Sequence, residues 1–111
     1  MTTSNGNSMH NTGLTEKDLL QIRSVLEQFH EIEQALIFGS RAKGNYKNGS
    51  DVDLALKGSG ITFEITTRVA YLLNEETLMP YSFDVAQFES ISSPELIDHI
   101  NRVGISIYPE K

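Results

Sequence analysis

The sequence contains no cysteine, and this absence excludes several kinds of protein. Disulfide bonds, thiolate zinc sites and a cysteine nucleophile are all impossible without a thiol. The 111 residues must therefore be held together by packing, which is possible at this length for one domain with one core. A chain of this size has no room for a second, substrate-holding domain beside a catalytic one.

Long apolar runs and an excess of basic charge are also missing. No apolar run comes near the roughly 20 residues that cross a bilayer. Nine Lys and Arg face 15 Asp and Glu, and the net charge of −6 repels phosphate backbones. We therefore expect a soluble, cytoplasmic protein that contacts no membrane and does not bind nucleic acid directly.

Residues 1–13 contain no aromatic and no aliphatic β-branched side chain, so they can bury little surface against the entropy of ordering. We expect a flexible tail there and a single folded domain over residues 14–111. Within that domain, apolar periodicity predicts helices at 15–34, 61–77 and 93–104, and strands at 35–38, 52–57, 82–88 and 105–108. This order predicts an α+β fold with a small mixed sheet of three core strands and a short C-terminal strand.

Residues 39–53 carry the most unusual chemistry. Gly39 and Ser40 follow a buried strand, and a glycine there lets backbone N–H groups approach a ligand such as phosphate. Arg41, Lys43 and Lys47 make the next loop locally positive on an acidic protein. Taken alone, however, a Gly-Ser pair after a strand is common in ordinary turns.

Acidic residues follow in the next two predicted strands. Asp51 and Asp53 are two positions apart, so the pattern places both side chains on one face of a strand. Two carboxylates about 5 Å apart repel each other by about 3 kcal/mol at an effective dielectric constant near 20, which a divalent cation would relieve. Asp84 lies between Phe83 and Val85 in another strand, and if the two strands are neighbours the three carboxylates form an oxygen-ligand cluster suited to Mg²⁺. Each element also has a plainer explanation, as a solvated strand edge or a paired structural acid.

Together these elements resemble a known signature. Gly39-Ser40, Asp51-Val52-Asp53 and Phe83-Asp84-Val85 are similar to the motifs of the nucleotidyltransferase superfamily that includes polymerase β and the kanamycin nucleotidyltransferases. Within it, GSRAKG followed by SDVDLAL resembles the minimal nucleotidyltransferases (MNT), single small domains usually encoded beside a helical HEPN-domain protein as an antitoxin and toxin pair. The resemblance covers roughly residues 14 to 108.

The resemblance implies a nucleotidyltransferase fold with helices packed on one face of the sheet. It implies that Gly39 and Ser40 hold the β- and γ-phosphates of a nucleoside triphosphate, with Arg41 as a further candidate contact. Asp51, Asp53 and Asp84 would be the catalytic carboxylates and would bind two Mg²⁺ ions, with Mn²⁺ as a substitute. Asp84 would also help to deprotonate the attacking hydroxyl.

Two functions follow from this resemblance. In the first, the protein transfers a nucleoside monophosphate, AMP from ATP, to a hydroxyl of a HEPN-type partner, because the chain has no domain of its own to hold an acceptor. In the second, it is an antitoxin that neutralises a HEPN partner by docking alone, and its nucleotide site is vestigial or regulatory. The presence of all three carboxylates favours the first. Several apolar residues beyond the inward stripe of the second helix predict a partner-binding patch, namely Ile61, Phe63, Tyr71, Leu78 and Met79.

Overall fold

The computed structural model of the chain describes residues 12–47 and 49–109. The helices are α1 (Glu16–Leu26), α2 (Ser40–Lys43), α3 (Phe63–Glu75) and α4 (Pro94–Val103), and the strands are β1 (Gln34–Phe38), β2 (Val52–Lys57), β3 (Phe83–Gln87) and β4 (Ile105–Tyr108). The strands form one sheet in the order β3-β2-β1-β4. Strand β1 is antiparallel to β2 and β4, whereas β2 and β3 are parallel. The predicted α+β class and mixed sheet are therefore confirmed.

Helix α1 begins where the sequence predicts and ends earlier. Thr15 and Asp18 form a capping box in which each side chain accepts the other's backbone N–H. The helix ends at Leu26. After it the backbone forms tighter turns, in which hydrogen bonds join residues three apart, such as the bond from the Phe29 N–H to the Leu26 carbonyl. Phe29 still packs on the core, which explains why apolar periodicity alone predicts a longer helix.

Helix α3 is the crossover that joins the parallel strands β2 and β3. Thr62 caps its first turn by accepting the Ile65 N–H. Near its end, the Asn74 amide donates to the Phe83 carbonyl and accepts the Phe83 N–H, at 3.0 and 2.7 Å. These two bonds attach the end of α3 to the beginning of β3, so both lie at the same end of the sheet.

Helices cover both faces of the sheet, not one face as the resemblance implies. One face packs against α1 and α3 through buried residues of β1 and β2, namely Ala35, Ile37, Val52, Leu54 and Leu56. Leu36 and Ala55 alternate with these residues and are also buried, and α4 lies on their side, where Ile100 is buried and Gly104 approaches Leu36. The uninterrupted apolar run of β1 is what allows both of its faces to be covered.

Two further features differ from the sequence-based expectation. The short helix α2 replaces a predicted loop and lies between Gly39 and Gly44, whose φ angles of 76° and 83° favour glycine. Thr12 and Gly13, placed in the predicted tail, pack against the side chain of Arg41, and Thr12 is fully buried. Residues 1–11 of that predicted tail lie outside the described residues. In the described part of the chain, no helix is both long enough and apolar enough to cross a membrane.

Candidate active site

The beginnings of β2 and β3 bring two of the predicted carboxylates together. The parallel register pairs Asp53 directly with Asp84, and on the other side of β2 Asp53 is paired with Phe38. Directly paired residues project from the same face of a sheet, and neighbouring strands lie about 4.8 Å apart. Because Val52 and Leu54 face the α1 and α3 core, both carboxylates lie on the α4 face. The strands that carry Asp53 and Asp84 are therefore neighbours, which is the condition stated above for a shared carboxylate site.

Asp51 is placed differently from the other two acids. It lies just before β2 and is exposed, whereas Asp53 is half-buried. Within residues 12–47 and 49–109, no three acidic or histidine side chains are grouped closely enough to hold a metal ion. The sequence predicts a cluster of three carboxylates, and the structure forms a pair, Asp53 and Asp84, with Asp51 at its edge.

The carboxyl group of Asp53 is nevertheless affected by its acidic neighbours. Burial raises the pKa of Asp53, and the Asp84 and Asp51 carboxylates raise it further. The site therefore concentrates negative charge where a carboxylate is already partly desolvated. Such a set of oxygen donors suits a hard divalent cation, whose remaining ligands would be other oxygen atoms such as those of phosphate.

Gly39 lies directly against this pair. Its backbone has a φ of 76° and a ψ of −153°, a conformation that residues other than glycine rarely adopt. A Cβ atom at this position would also collide with the carboxylate of Asp53. Ser40 follows as the first residue of α2. The Gly39–Ser40 turn therefore lies next to the Asp53 carboxylate.

Arg41 points into the protein and is only 2% exposed. Its guanidinium donates to the Thr12 carbonyl at 2.6 Å and to the Ser50 carbonyl at 3.0 Å. The guanidinium carbon also lies 4.7 and 4.9 Å from the ring centroids of Tyr46 and Tyr81. The resemblance makes Arg41 a candidate phosphate contact, but in the structure its guanidinium binds the backbone carbonyls of Thr12 and Ser50.

His99 was not singled out by the sequence. It is a half-buried residue of α4, and its Nε2 accepts the Gly39 N–H at 3.0 Å. Its ring also packs edge-to-face on Phe38. No short-range pattern links positions 39 and 99, because the docking of α4 on the carboxylate face brings them together.

Residues 20–111 match the sequence model of the family described as "Polymerase beta, Nucleotidyltransferase". The chain belongs to this nucleotidyltransferase family. The matched residues include the Gly39–Ser40 turn and the three acids Asp51, Asp53 and Asp84. No curated protein matches this nucleotidyltransferase.

Several solved structures share the nucleotidyltransferase fold. A toxin–antitoxin structure with AMP-PNP aligns with a TM-score of 0.69 and 18% identity, covering 82% of this chain and 73% of the other. The toxin–antitoxin MntA–HepT gives 0.65 and 16%, covering 85% and 72%. A tri-AMPylated HEPN toxin from Shewanella oneidensis in complex with an MNT antitoxin gives 0.62 and 16%, covering 81% and 68%. At these identities the similarity establishes the fold.

Proposed function

We propose that this nucleotidyltransferase transfers AMP from ATP to a hydroxyl group of a HEPN-type partner protein, and that it is the antitoxin of the pair. The observation that supports this most is the direct pairing of Asp53 with Asp84 beside the Gly39–Ser40 turn. Among the solved structures of similar fold, one toxin–antitoxin structure contains AMP-PNP and another is the complex of a tri-AMPylated HEPN toxin with an MNT antitoxin.

Each part of the site has a role in this proposal. The Gly39–Ser40 turn contacts the terminal phosphates, and Asp53, Asp84 and Asp51 supply carboxylate oxygens to Mg²⁺. When bound, the divalent cations neutralise charge on the triphosphate and on the departing pyrophosphate. The raised pKa of Asp53 agrees with this role, because a neighbouring cation would stabilise its charged carboxylate.

The reaction requires one bond to form and one to break. The hydroxyl oxygen of the partner attacks the α-phosphorus of ATP, and the bond from that phosphorus to the oxygen bridging the β-phosphate breaks. Pyrophosphate leaves with the electron pair of that bond, and AMP remains on the partner. Asp84, the more exposed of the paired acids, accepts the hydroxyl proton in this scheme.

Intact-mass measurement of the partner tests the proposal. After incubation with ATP and Mg²⁺ we expect the co-expressed partner to gain the mass of AMP, and we expect Asp53→Asn to abolish the gain. Asp98→Asn is the matched control, because Asp98 is an exposed acid on α4 that pairs with Arg102. A gain that persists in Asp53→Asn would refute the assigned role of the acidic pair.

Neutralisation by docking alone is the second candidate function. The observation that favours it is the looser position of Asp51, which leaves no compact group of three acids among the described residues. In that case the complex would form and the partner's mass would not change, even at saturating ATP and Mg²⁺.

A further inference from the structure

The backbone N–H of Gly39 is already engaged within the protein. It donates to His99 Nε2 at 3.0 Å, and a peptide group has only one such proton. The Gly39–Ser40 turn therefore does not offer the Gly39 N–H to a phosphate while this bond is present. What Gly39 contributes is its backbone conformation and the absence of a Cβ atom beside Asp53.

His99 is held so that it can keep this bond. Its ring packs edge-to-face on Phe38, with the ring centroids 6.2 Å apart and an angle of 77° between the ring planes. The next residue, Ile100, is fully buried and anchors this part of α4 against the sheet. Because Nε2 accepts the hydrogen bond from the Gly39 N–H, the imidazole carries its proton on Nδ1.

The bond joins α4 to the turn between β1 and α2, and this turn lies beside β2. Phe38 ends β1, Gly39 turns the chain into α2, and the register pairs Phe38 with Asp53 of β2. A shift of the Gly39 peptide would therefore change the distance between the Gly39–Ser40 turn and the Asp53 carboxylate. His99 therefore connects α4 to Gly39, the residue of the turn whose conformation is most restricted by its neighbour Asp53.

We propose that His99 is a positioning residue of the nucleotide site: its Nε2 holds the Gly39 N–H and thereby fixes the Gly39–Ser40 turn against Asp53 for binding of the triphosphate. This inference rests on the proposed nucleotidyltransferase activity. It assigns the phosphate contacts of the turn to Ser40 and gives Gly39 a purely geometric role. It also gives α4 a function in the site beyond covering the sheet.

Two substitutions of His99 separate the effect of its hydrogen bond to Gly39 from the effect of its packing on Phe38. His99→Leu keeps an apolar side chain beside Phe38 and removes the acceptor, whereas His99→Gln retains an oxygen acceptor at a similar reach. His30→Leu is the matched control, because the His30 side chain is 93% exposed and lies between α1 and β1. The affinity for AMP-PNP with Mg²⁺ is measured by calorimetry at pH 8, and the exchange rate of the Gly39 amide proton is measured by NMR.

We expect His99→Leu to weaken AMP-PNP binding by about 3- to 10-fold and to speed Gly39 amide exchange by about tenfold or more. His99→Gln should restore most of both, and His30→Leu should change neither. Tighter binding by His99→Leu would overturn the proposal, since it would show that the imidazole competes with phosphate. Unchanged affinity and exchange with only a lower Tm would also overturn it, because His99 would then be a packing residue.

The two measurements also distinguish this inference from the proposed function. If the wild-type protein binds no AMP-PNP, the proposed nucleotide site is refuted, and the nucleotide role of His99 is refuted with it. The Gly39 exchange rates still decide whether His99 fixes the turn. If the wild type binds AMP-PNP and His99→Leu binds it equally well, His99 alone loses its role and the proposed function stands.

Discussion

At the scale of single residues, Asp53 combines a cost in folding stability with its proposed role in binding a cation. Burial raises its pKa, and the Asp84 and Asp51 carboxylates raise it further. Because the pKa is higher in the folded than in the unfolded protein, the folded state binds more protons between the two values. Stability contributed by Asp53 is therefore greatest at low pH and is lost as the pH rises through its folded pKa.

The first prediction follows from this sign. In metal-free buffer at pH 7, Asp53→Asn should be more stable than the wild type by up to about 0.5 kcal/mol, or about 2–4 °C in Tm. The difference should shrink as the pH falls toward 4, where the wild-type carboxyl is protonated. Urea unfolding between pH 4 and pH 8 measures it, with Asp98→Asn as the control. Mg²⁺ should stabilise the wild type more than Asp53→Asn, because a cation relieves the same repulsion.

A result of the opposite sign would change the role assigned to Asp53. If Asp53→Asn lost more than about 1 kcal/mol at pH 7, the carboxylate would be making a stabilising contact in the folded protein. Repulsion between Asp53 and its acidic neighbours would then no longer be a reason for the site to bind a cation.

The sequence predicts which residues form the site better than it predicts the contacts between them. Gly39, Ser40, Asp53 and Asp84 stand at strand ends that hydrophobic patterning locates, and the structure brings these four together. The bond between Gly39 and His99 could not be predicted, because it depends on which face of the sheet α4 covers. The resemblance makes Arg41 a candidate phosphate contact, and local sequence does not reveal that its side chain is buried.

At the scale of secondary structure elements, the hydrophobic pattern predicts a helix or strand correctly where one of its faces is apolar. It fails where an element depends on contacts with distant parts of the chain. The beginning of α1 follows from its Thr15 cap and β2 follows from its alternation, whereas α3 begins at Phe63, two residues after the predicted start. The end of α1 could not be predicted, because the spacing of apolar residues continues beyond Leu26 into the turns that follow the helix. Helix α2 has only four residues, too few for a hydrophobic period or for stability in isolation, so its existence depends on what surrounds it.

Arg41 is the residue that holds α2 in place. It belongs to that helix, and its guanidinium reaches the carbonyls of Thr12 before α1 and Ser50 before β2. Arg41→Met should therefore lower the free energy of unfolding by about 2–4 kcal/mol, because buried carbonyls lose charged donors. Arg41→Lys should recover little of this, since an ammonium group cannot reproduce the fork of a guanidinium.

Urea denaturation measures this second effect, and Arg68→Met on the exposed side of α3 is its control, expected within about 0.5 kcal/mol of the wild type. A loss below about 1 kcal/mol for Arg41→Met would contradict the structural role of Arg41. The phosphate contact implied by the resemblance would then regain support.

At the scale of the whole molecule, the apolar surface is distributed unevenly around the site. Of the five apolar residues expected to form a partner-binding patch, Ile61 and Met79 are buried, whereas Phe63, Tyr71 and Leu78 are exposed. Phe63 begins α3, at the end of the sheet where β2 finishes. Leu78 follows α3 and precedes β3, so it lies at the end of the sheet where Asp84 is found.

This arrangement separates two exposed residues of similar character. A partner that presents a hydroxyl to Asp84 must cover the carboxylate end of the sheet, and there Leu78 is 99% exposed. Phe63 is 82% exposed at the opposite end and is not required for that contact. Exposed apolar side chains contribute to a complex only where the partner buries them.

The final prediction compares the two positions in the proposed complex with a HEPN-type partner. Leu78→Ser should weaken the complex by about 1–2 kcal/mol, a roughly 5- to 30-fold increase in Kd, whereas Phe63→Ser should change it less than twofold. Both variants should keep the wild-type Tm within a few degrees, since both side chains are already in water. Calorimetric titration of the partner measures Kd, and intact-mass analysis at saturating partner measures AMP transfer. Equal weakening by both variants would place the partner along all of α3, and weakening by Phe63→Ser alone would place it away from Asp84. The second result would be incompatible with a partner hydroxyl delivered to the acidic pair.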